Sequence, residues 1–370
     1  MNEQVKETSL STTDGCFVGE KMWMVHTCLN LLLCIDLKSA AIVKQYEIPY
    51  KEYLKEPLYV AIKLIEKKLW LIPGCARQMV LFDIESEQFD EISIEEKRKE
   101  EKMIYFEKFA LDAFVFQDWI YIVPSRYHSI YKIHRQTKKV EQCLDLRNYV
   151  DGEWQFVSQA REIEDGKIVM TLGGSNCLLL YDCNSNCIEK VNVAIQGNQF
   201  FGPRFIYKDG FVYLFTNGDK NSKLMKINIE TGTIVHDIDI ENKVFGFVEE
   251  FGKEVVLDFG GKEGACLYDE ELNLKKHVSY NVEDSNNHMI TAYPYGIWKN
   301  KSEEERIMVN RYSNEILFYH YFEDEPYRVI KINFVPQIES FPILDMNGFM
   351  WEEGVVSLDS YLNALIITND

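Results

Sequence analysis

The sequence lacks the long apolar runs that cross a membrane, and it lacks the apolar core of a signal peptide. Its longest apolar stretches, such as Leu29 to Leu37, have the length of a β-strand, and residues 1–15 are polar. The nine cysteines show neither the spacing of a disulfide framework nor that of a C-x-x-C metal knuckle. The sequence therefore predicts a cytoplasmic protein with reduced thiols that does not enter the membrane.

Basic charge is also scarce, with 40 Lys and Arg against 59 Asp and Glu and a formal net charge of −19. A surface of that sign repels phosphate backbones and anionic lipids, so we expect neither nucleic acids nor membrane surfaces as partners. Aromatic residues, by contrast, make up 13% of the chain, which favours β-strands because flat side chains pack well on a pleated surface.

One four-strand pattern returns along the chain. Its clearest copy lies between residues 204 and 239, where Asp209-Gly210 and Thr231-Gly232 mark turns between apolar runs. The third-strand segment of this pattern occurs seven times, at intervals of 43–51 residues, and ends at Leu37, Ile84, Ile133, Cys183, Ile227, Glu270 and Tyr321. That interval is typical of propeller blades, which are too small to bury their own faces and must stack on their neighbours.

The repeat predicts an all-β fold, a single β-propeller of about seven four-stranded antiparallel blades over residues 14–334, preceded by an N-terminal extension, 1–13. Six or eight blades, or a β-sandwich with an accessory domain, are the alternatives. In its architecture the chain resembles the β-propeller superfamily, with its kelch-like, WD-repeat-like and quinoprotein-like members. The WD signatures are absent, and the kelch double glycine occurs only as Gly173-Gly174 and Gly260-Gly261. The resemblance therefore implies a fold and no particular function.

Residues 335–370 follow the last blade as a tail. Leu358, Tyr361, Leu362 and Leu365 within it would share one face of a helix, and Ser357 is placed to cap the N-terminus of that helix. We expect a short amphipathic helix over 357–366 that packs against the propeller or presents its apolar face to a partner.

The loops after the second strand of each blade are expected to meet at the axial mouth. Five of the seven loops carry Lys or Arg although the chain is acidic, and such a local inversion of charge would concentrate anions. The alternative is that these are ordinary polar loops, which often carry Lys or Arg. Guanidinium groups suit carboxylates and phosphates, and aromatic rings suit sugars. The expected ligand-binding residues are Arg77, Arg126, Tyr127, His128, Arg204, Lys220, Lys262, Arg311 and Tyr312.

Catalytic motifs are missing: the chain has no nucleophile elbow, phosphate loop or dinucleotide fingerprint, and we expect no cofactor. No metal site is expected either, because Cys177 and Cys183 have no histidine near them in sequence and suit the role of small apolar fillers. Two histidines, His26 and His128, fall in the expected mouth, where a histidine is either a general base or a satisfied loop residue.

Taken together, these features favour a non-catalytic scaffold that binds a small anionic or glycan-like ligand, or a protein partner. The alternative is a hydrolase or lyase acting on an anionic glycan or peptide at the same mouth. Carboxylates expected in first strands, Asp112, Glu162 and Glu249, could face the channel, but a sequence does not supply the separation that paired carboxylates need.

Overall fold

The computed structural model describes residues 10, 12–26, 29–49, 58–74, 76–94, 110–125, 128–149, 156–164, 166–173, 175–195, 200–217, 221–241, 247–260, 264–278, 295–300, 305–310, 314–320, 328–336, 340–344 and 350–357. This part of the chain contains seven four-stranded antiparallel sheets, one two-stranded sheet and a single turn of 3-10 helix. The strands of each four-stranded sheet lie in chain order, so each strand pairs with the next one along the sequence.

The first four sheets comprise β1 (Thr12–Val18), β2 (Lys21–His26), β3 (Leu31–Asp36) and β4 (Ala41–Glu47); β5 (Tyr59–Ile65), β6 (Lys68–Pro73), β7 (Gln78–Asp83) and β8 (Gln88–Ser93); β9 (Ala110–Phe116), β10 (Trp119–Pro124), β11 (Ser129–His134) and β12 (Val140–Asp145); and β13 (Phe156–Glu162), β14 (Lys167–Gly173), β15 (Cys177–Asp182) and β16 (Cys187–Asn192). The 3-10 turn, Leu146–Asn148, follows β12.

The other three four-stranded sheets comprise β17 (Phe200–Lys208), β18 (Phe211–Asn217), β19 (Asn221–Asn228) and β20 (Ile234–Glu241); β21 (Phe247–Phe251), β22 (Glu254–Gly260), β23 (Gly264–Tyr268) and β24 (Leu274–Val278); and β25 (Tyr295–Asn300), β26 (Glu305–Asn310), β27 (Glu315–His320) and β28 (Arg328–Lys331). The two-stranded sheet comprises β29 (Ser340–Leu344) and β30 (Met350–Ser357).

The first strands of the sheets are the innermost ones. From β1 through β5, β9, β13, β17 and β21, each first strand contacts the next, and β1 also contacts β25. The seven sheets therefore stand around one axis as the blades of a β-propeller, which confirms the architecture expected from the repeat. At the join of blades seven and one, Gln45 Nε2 donates to the Val335 carbonyl at 3.0 Å, and the His26 ring centroid lies 5.4 Å from that of Phe334.

Alternating side chains bury both faces of a blade, each against a different neighbour. On β14, Ile168, Met170 and Leu172 pack toward blade three, whereas Val169 packs toward blade five. Six buried apolar clusters of this kind are described, from the interface of blades seven and one to that of blades five and six. The near-continuous apolar runs in second and third strands are explained by this burial on both faces.

The turn between the third and fourth strands is capped by a side chain at the same position in six blades. In blade two, the Asp83 carboxylate accepts hydrogen bonds from the backbone N–H groups of Glu85 and Ser86, both at 3.0 Å. Side chains at the equivalent position of the other five blades accept bonds of the same kind, namely Asp36, His134, Asp182, Asn228 and Asp269. An acceptor is needed here because these turn amides have no strand partner.

A backbone contact ties the capped turn to the turn between the first and second strands. The residue after the capping side chain donates its N–H to a carbonyl of that other turn at 2.9–3.3 Å in five blades, the pairs being Leu37 to Glu20, Ile84 to Lys67, Arg135 to Asp118, Cys183 to Gly166 and Ile229 to Gly210. Both sets of turns therefore lie at one end of the ring, which we call the lower face.

The tail differs from the expectation of a helix. Ser357, expected to cap that helix, is the last residue of β30, which pairs antiparallel with β29. The helix expected over 357–366 is not supported, because Ser357 belongs to a strand and residues 358–366 lie outside the described part of the chain. The boundaries 1–13, 14–334 and 335–370 stay predictions.

Two turn glycines allow a matched test of packing on the lower face. Gly232 has a φ of +68°, and a Cβ added to it would lie 2.3 Å from the backbone oxygen of Asn192 in the preceding blade. Gly210 has a φ of +84°, with no heavy atom within 4 Å of an added Cβ. A side chain at either position would be strained by the positive φ, but only at Gly232 would it also clash with a neighbouring blade.

We expect Gly210→Ala to lower the free energy of unfolding by about 1–2 kcal/mol, the cost of a left-handed alanine. Gly232→Ala should cost a further 1–3 kcal/mol or so, because the clash forces blades four and five apart. Urea unfolding of both variants measures the difference. Equal losses would contradict the close contact between these blades.

The capping carboxylates make the free energy of unfolding depend on pH in the acid range. Hydrogen bonds from the backbone N–H of Ser86, and then of Glu85, lower the pKa of Asp83, while partial desolvation opposes them, and Ser39 acts first in the same way on Asp36. A carboxyl with a lowered folded-state pKa contributes stability that is present above its unfolded pKa of about 3.9. That contribution is lost as the pH falls through the folded-state pKa.

Asp83→Asn should reduce the loss of stability below about pH 4, because an amide oxygen accepts the same bonds at every pH, as Asn228 already does. Denaturant midpoints at pH 7, 5, 4 and 3.5 give the measurement. Asp209→Asn, at an exposed turn position of the same face, is the control for removing one carboxylate that caps no turn. Parallel curves for the wild type and Asp83→Asn would count against the capping role.

Candidate functional site

The loops between second and third strands end in one recurring backbone contact. The residue after the fourth strand donates its N–H to the carbonyl of the last loop residue at 2.6–3.1 Å in five blades, the pairs being Ile48 to Asn30, Ile94 to Arg77, Leu146 to His128, Val193 to Asn176 and Ile332 to Asn314. All five donor residues are buried. We call this contact the upper clamp, because it fixes the end of each loop on the upper face, opposite the lower face.

Two of the expected ligand-binding residues occupy the clamp position. Arg77 in blade two and His128 in blade three are equivalent, and each offers its carbonyl to the clamp. Arg77 is exposed and His128 is half-buried. Six further expected residues, Arg126, Tyr127, Lys220, Lys262, Arg311 and Tyr312, lie outside the described part of the chain. Their role in binding stays a prediction.

An ion pair lies beside His128 on the upper face. The Asp145 carboxylate accepts bonds from Arg147 Nε at 2.9 and 2.8 Å. The Arg147 side chain lowers the pKa of Asp145 most strongly, and the positive charge of a protonated His128 would lower it further. This carboxylate therefore stays ionised at neutral pH.

The second histidine of the expected mouth is a structural residue. His26 is 3% exposed, and its Nδ1 accepts the backbone N–H of Leu29 at 3.1 Å. Because Nδ1 is an acceptor, the ring proton in this bond pattern lies on Nε2. Its ring packs beside that of Phe334 at the join of blades seven and one, with the two ring planes tilted by 46°. Of the two interpretations open for a mouth histidine, the residue with satisfied hydrogen bonds fits His26, which is the last residue of β2 and not part of the loop.

The wall of the axial channel carries polar links between neighbouring first strands. Asp14 Oδ2 of blade one accepts the N–H of Ile62 in blade two at 3.0 Å. Gln159 Oε1 of blade four accepts the N–H of Phe205 in blade five. Both acceptors lie at or next to a register shift in their strands, and such bulges redirect side chains.

Two further links are ion pairs. Lys63 Nζ of blade two lies 2.7 Å from Asp112 Oδ1 of blade three. Arg204 of blade five pairs with Glu249 of blade six. Arg204 is therefore placed on the channel wall within β17, apart from the loops with which it was grouped, and Asp112 and Glu249 already have cationic partners.

Two carboxylates near the lower end of the channel have raised pKa values. Partial desolvation raises the pKa of Glu162, and Lys63 opposes it. Partial desolvation likewise raises the pKa of Glu250, opposed by Lys208 and then Arg161. Both side chains remain solvent-accessible, so their carboxyls can exchange protons with water. A carboxyl of this kind can serve as an acid or as a polar lining, and its chemistry depends on what binds beside it.

The cysteines expected to be apolar fillers lie in the core between blades three and four. Cys177 and Cys183 are both buried in that cluster, and burial raises the pKa of the Cys183 thiol to about 12. Among the described residues, no three His, Cys, Asp or Glu side chains are grouped so as to hold a metal ion. No helix in the same residues is long and apolar enough to cross a membrane.

Sequence reasoning missed the clamp and the channel links. The clamp position has a signal that could have been found, because it lies six residues before the capping residue, as in Asn30 and Asp36 or Asn176 and Asp182. Asp14, Gln159 and Lys63 have no such signal. Their partners lie in the next blade, and a bulge changes the direction of a side chain without leaving a mark in the sequence.

The Lys63–Asp112 link should contribute measurably to stability. We expect a double-mutant cycle with Lys63→Gln and Asp112→Asn to give a coupling of about 1 kcal/mol, since both side chains are largely shielded from water. The Lys67–Glu85 pair is the control, because its 2.6 Å separation is similar but its side chains are 71% and 67% exposed. That pair should show no measurable coupling. Equal couplings in urea unfolding would contradict a special role for the channel link.

Comparison with known proteins yields a likeness in fold. No family model and no curated protein matches the sequence. Among solved structures, the Dos1 propeller has a TM-score of 0.55 at 11% identity and covers 88% of this chain and 85% of its own. A chain of the mitotic checkpoint complex has a TM-score of 0.57 at 11% identity, with 85% and 90% covered.

A third structure is the extracellular domain assigned to a one-component system, BT4673, from B. thetaiotaomicron. It has a TM-score of 0.55 at 15% identity, and the match covers 86% of this chain but only 40% of that longer one. The chain thus spans less than half of this relative, so nothing of the whole relative's activity transfers. At these identities the likeness establishes a β-propeller fold.

Proposed function

We propose that this protein is a non-catalytic binding propeller whose upper face recognises a small anionic or glycan-like ligand. The upper clamp is the observation that carries the proposal. In five blades it holds the end of a loop at an equivalent place, yet the residue held there is Asn, Arg, His, Asn and Asn in turn. Asn30 and Asn314 are buried, whereas Arg77, His128 and Asn176 are exposed or half-buried. A rigid frame that presents these three different side chains at equivalent positions suits recognition, which needs fixed geometry and local variety.

The charge of the loops supports an anionic ligand. Arg77 and His128 are described on the upper face, and Arg126, Lys220, Lys262 and Arg311 belong to equivalent loops in the sequence. They stand on a chain whose net charge is −19, so a ligand attracted to this face would be steered by local charge. Tyr127 and Tyr312 add rings suited to sugar stacking.

The channel wall supports a role without catalysis. Asp112 and Glu249 each pair with a cation of a neighbouring blade, and Asp14 and Gln159 accept backbone bonds. These groups are used to hold blades together, and a carboxylate already engaged in this way is a poor general base. The hydrolase or lyase alternative would therefore have to draw its catalytic groups from the upper-face loops or from Glu162 and Glu250 near the lower end of the channel.

A protein partner is the second candidate, supported by the fold's likeness to a chain of the mitotic checkpoint complex, which is a protein assembly. An acidic peptide would satisfy the same basic loops as a sugar acid. A cytoplasmic location stays a prediction from the cysteine pattern.

Calorimetry with defined probes tests the proposal. We expect trigalacturonate or a glutamate-rich peptide to bind, and neutral maltotriose to bind at least tenfold more weakly, since its charge-assisted bonds are missing. The double variant Arg126→Gln, Arg311→Gln should weaken binding of the anionic probe about tenfold or more. Whichever anionic probe binds better separates the glycan-like ligand from the protein partner.

The matched control removes the same charge from the lower face. Lys38→Gln with Lys67→Gln changes two exposed turn lysines there and should leave the affinity within about twofold. An equal loss of affinity in both double variants would show that the change in net charge alone causes the effect. Unchanged affinity in the upper-face variant would refute the basic-loop site.

A further inference from the structure

The outer strands of the blades, which are the fourth strands, differ in charge around the ring. In blades two, three and five they carry acidic residues and no basic one, as in β20 (IVHDIDIE). In blades six and seven they carry two basic residues and no acidic one, as in β24 (LKKHV). Those of blades one and four have one charge of each sign. Among the seven described outer strands, only β20 and β24 are therefore neighbours of opposite sign.

The charged groups of these two strands lie on the outside of the ring, and we call β20 and β24 together the rim patch. Asp239 and Glu241 of β20 are exposed, and Lys223 of the same blade offsets part of their charge from a distance of 3.6 Å to Asp239. On β24, Lys275 is exposed and Lys276 is half-buried. The rim patch therefore presents an acidic half and a basic half side by side.

Each half of the rim patch also exposes a large apolar side chain. Val235 of β20 is 51% exposed and Leu274 of β24 is 49% exposed, which places both among the most exposed large apolar residues of the described chain. Both lie just after a capped turn, the caps being Asn228 and Asp269, and so both lie near the lower face. Apolar side chains this exposed gain free energy when a second surface covers them.

A twofold axis parallel to the propeller axis would make the rim patch complementary to itself. This operation keeps the direction in which the blades follow one another, so blade five of one copy faces blade six of the other at both contacts. Acidic strands then meet basic strands twice, and Val235 lies level with Leu274 of the other copy. A twofold axis perpendicular to the propeller axis would instead place blade five on blade five, where like charges oppose each other.

We propose that the rim patch is the interface of a symmetric dimer, in which β20 of each copy contacts β24 of the other. The net charge of −19 repels two copies at long range, but at about 0.15 M salt the screening length is about 8 Å, so contacts within the interface outweigh more distant charges. Two blade edges make a small interface, and we expect a dissociation constant of about 10–100 µM. The upper faces of both copies remain uncovered and point the same way.

An exchange of charge between the two strands tests the dimer by sedimentation velocity at about 0.15 M salt. Asp239→Lys with Glu241→Lys makes β20 basic, and Lys276→Glu with His277→Glu gives β24 a net negative charge. Lys275 is retained because it pairs with a buried carboxylate. Each double variant alone should dimerise at least tenfold more weakly than the wild type, since both of its contacts join like charges.

An equimolar mixture of the two double variants, with one of them fluorescently labelled, should dimerise within about threefold of the wild type, because both contacts again join opposite charges. Net charge alone predicts a different order. The variant with basic β20 is less acidic than the wild type and would by itself associate more tightly. A mixture no tighter than the separate variants would overturn the proposal.

The matched control reverses acidic residues on outer strands away from the rim patch. Glu91→Lys with Glu189→Lys, in blades two and four, makes the same change in net charge as the basic β20 variant and should leave the dissociation constant within about twofold. Three further results would refute the dimer: no association of the wild type up to about 1 mM, unchanged association of the two rim variants, or growth into species larger than a dimer.

Carbodiimide cross-linking gives a second measurement that needs no substitution. The reagent joins a carboxylate to a lysine amine in contact with it, and mixing isotopically labelled with unlabelled protein identifies links between two chains. We expect links from Asp239 or Glu241 to Lys275 or Lys276 of the other chain, at least tenfold more frequent than links between chains from Glu91. Links between chains that leave out the rim patch would contradict this interface.

Discussion

Burial of both faces of every blade against different neighbours is the constraint on which the rest of the structure depends. In a strand such as β14, Met170 and Val169 point to opposite faces of the blade, and both faces are shielded from water. No blade can meet this requirement alone. Stacking must continue until the last blade meets the first, and the contact of β1 with β25 satisfies it.

Apolar packing does not fix the height or orientation of one blade relative to the next, and the polar contacts do. The capped turns and their backbone ties fix the lower ends of the blades, whereas the upper clamp fixes the ends of the loops. Along the axis, Asp14, Gln159 and the two ion pairs join first strands at defined heights. A slip of one blade past another would leave these buried or half-buried groups without partners, at a cost comparable to that of a lost hydrogen bond.

The fold could be predicted from the sequence because its signal is local and repeated. Third strands such as LLLCID and CLLLYD carry their apolar runs and their capping residues within six or seven positions, so the interval between copies was readable. The contacts of single polar residues could not be predicted in this way. His26 was expected in a loop but ends β2 and accepts a bond from Leu29, and Arg204 was grouped with the loops but pairs with Glu249 of the next blade.

The tail shows the opposite difficulty. Leu358, Tyr361, Leu362 and Leu365 match a helical period, but Ser357 ends a strand. Short apolar segments satisfy periods of 3.6 and 2.0 about equally well, so periodicity alone could not decide between them.

Because the upper clamp is made by a backbone carbonyl, the bond itself does not depend on which side chain the residue carries. Asn30, Arg77 and His128 all supply it. Mutation can thus explore the positions of Arg77, His128 and Asn176, which are exposed or half-buried, with little penalty in folding, whereas Asn30 and Asn314 are buried and the Asn30 side chain donates to the Ile48 carbonyl. The propeller separates the residues that selection must keep from those it is free to change, which makes the upper face evolvable.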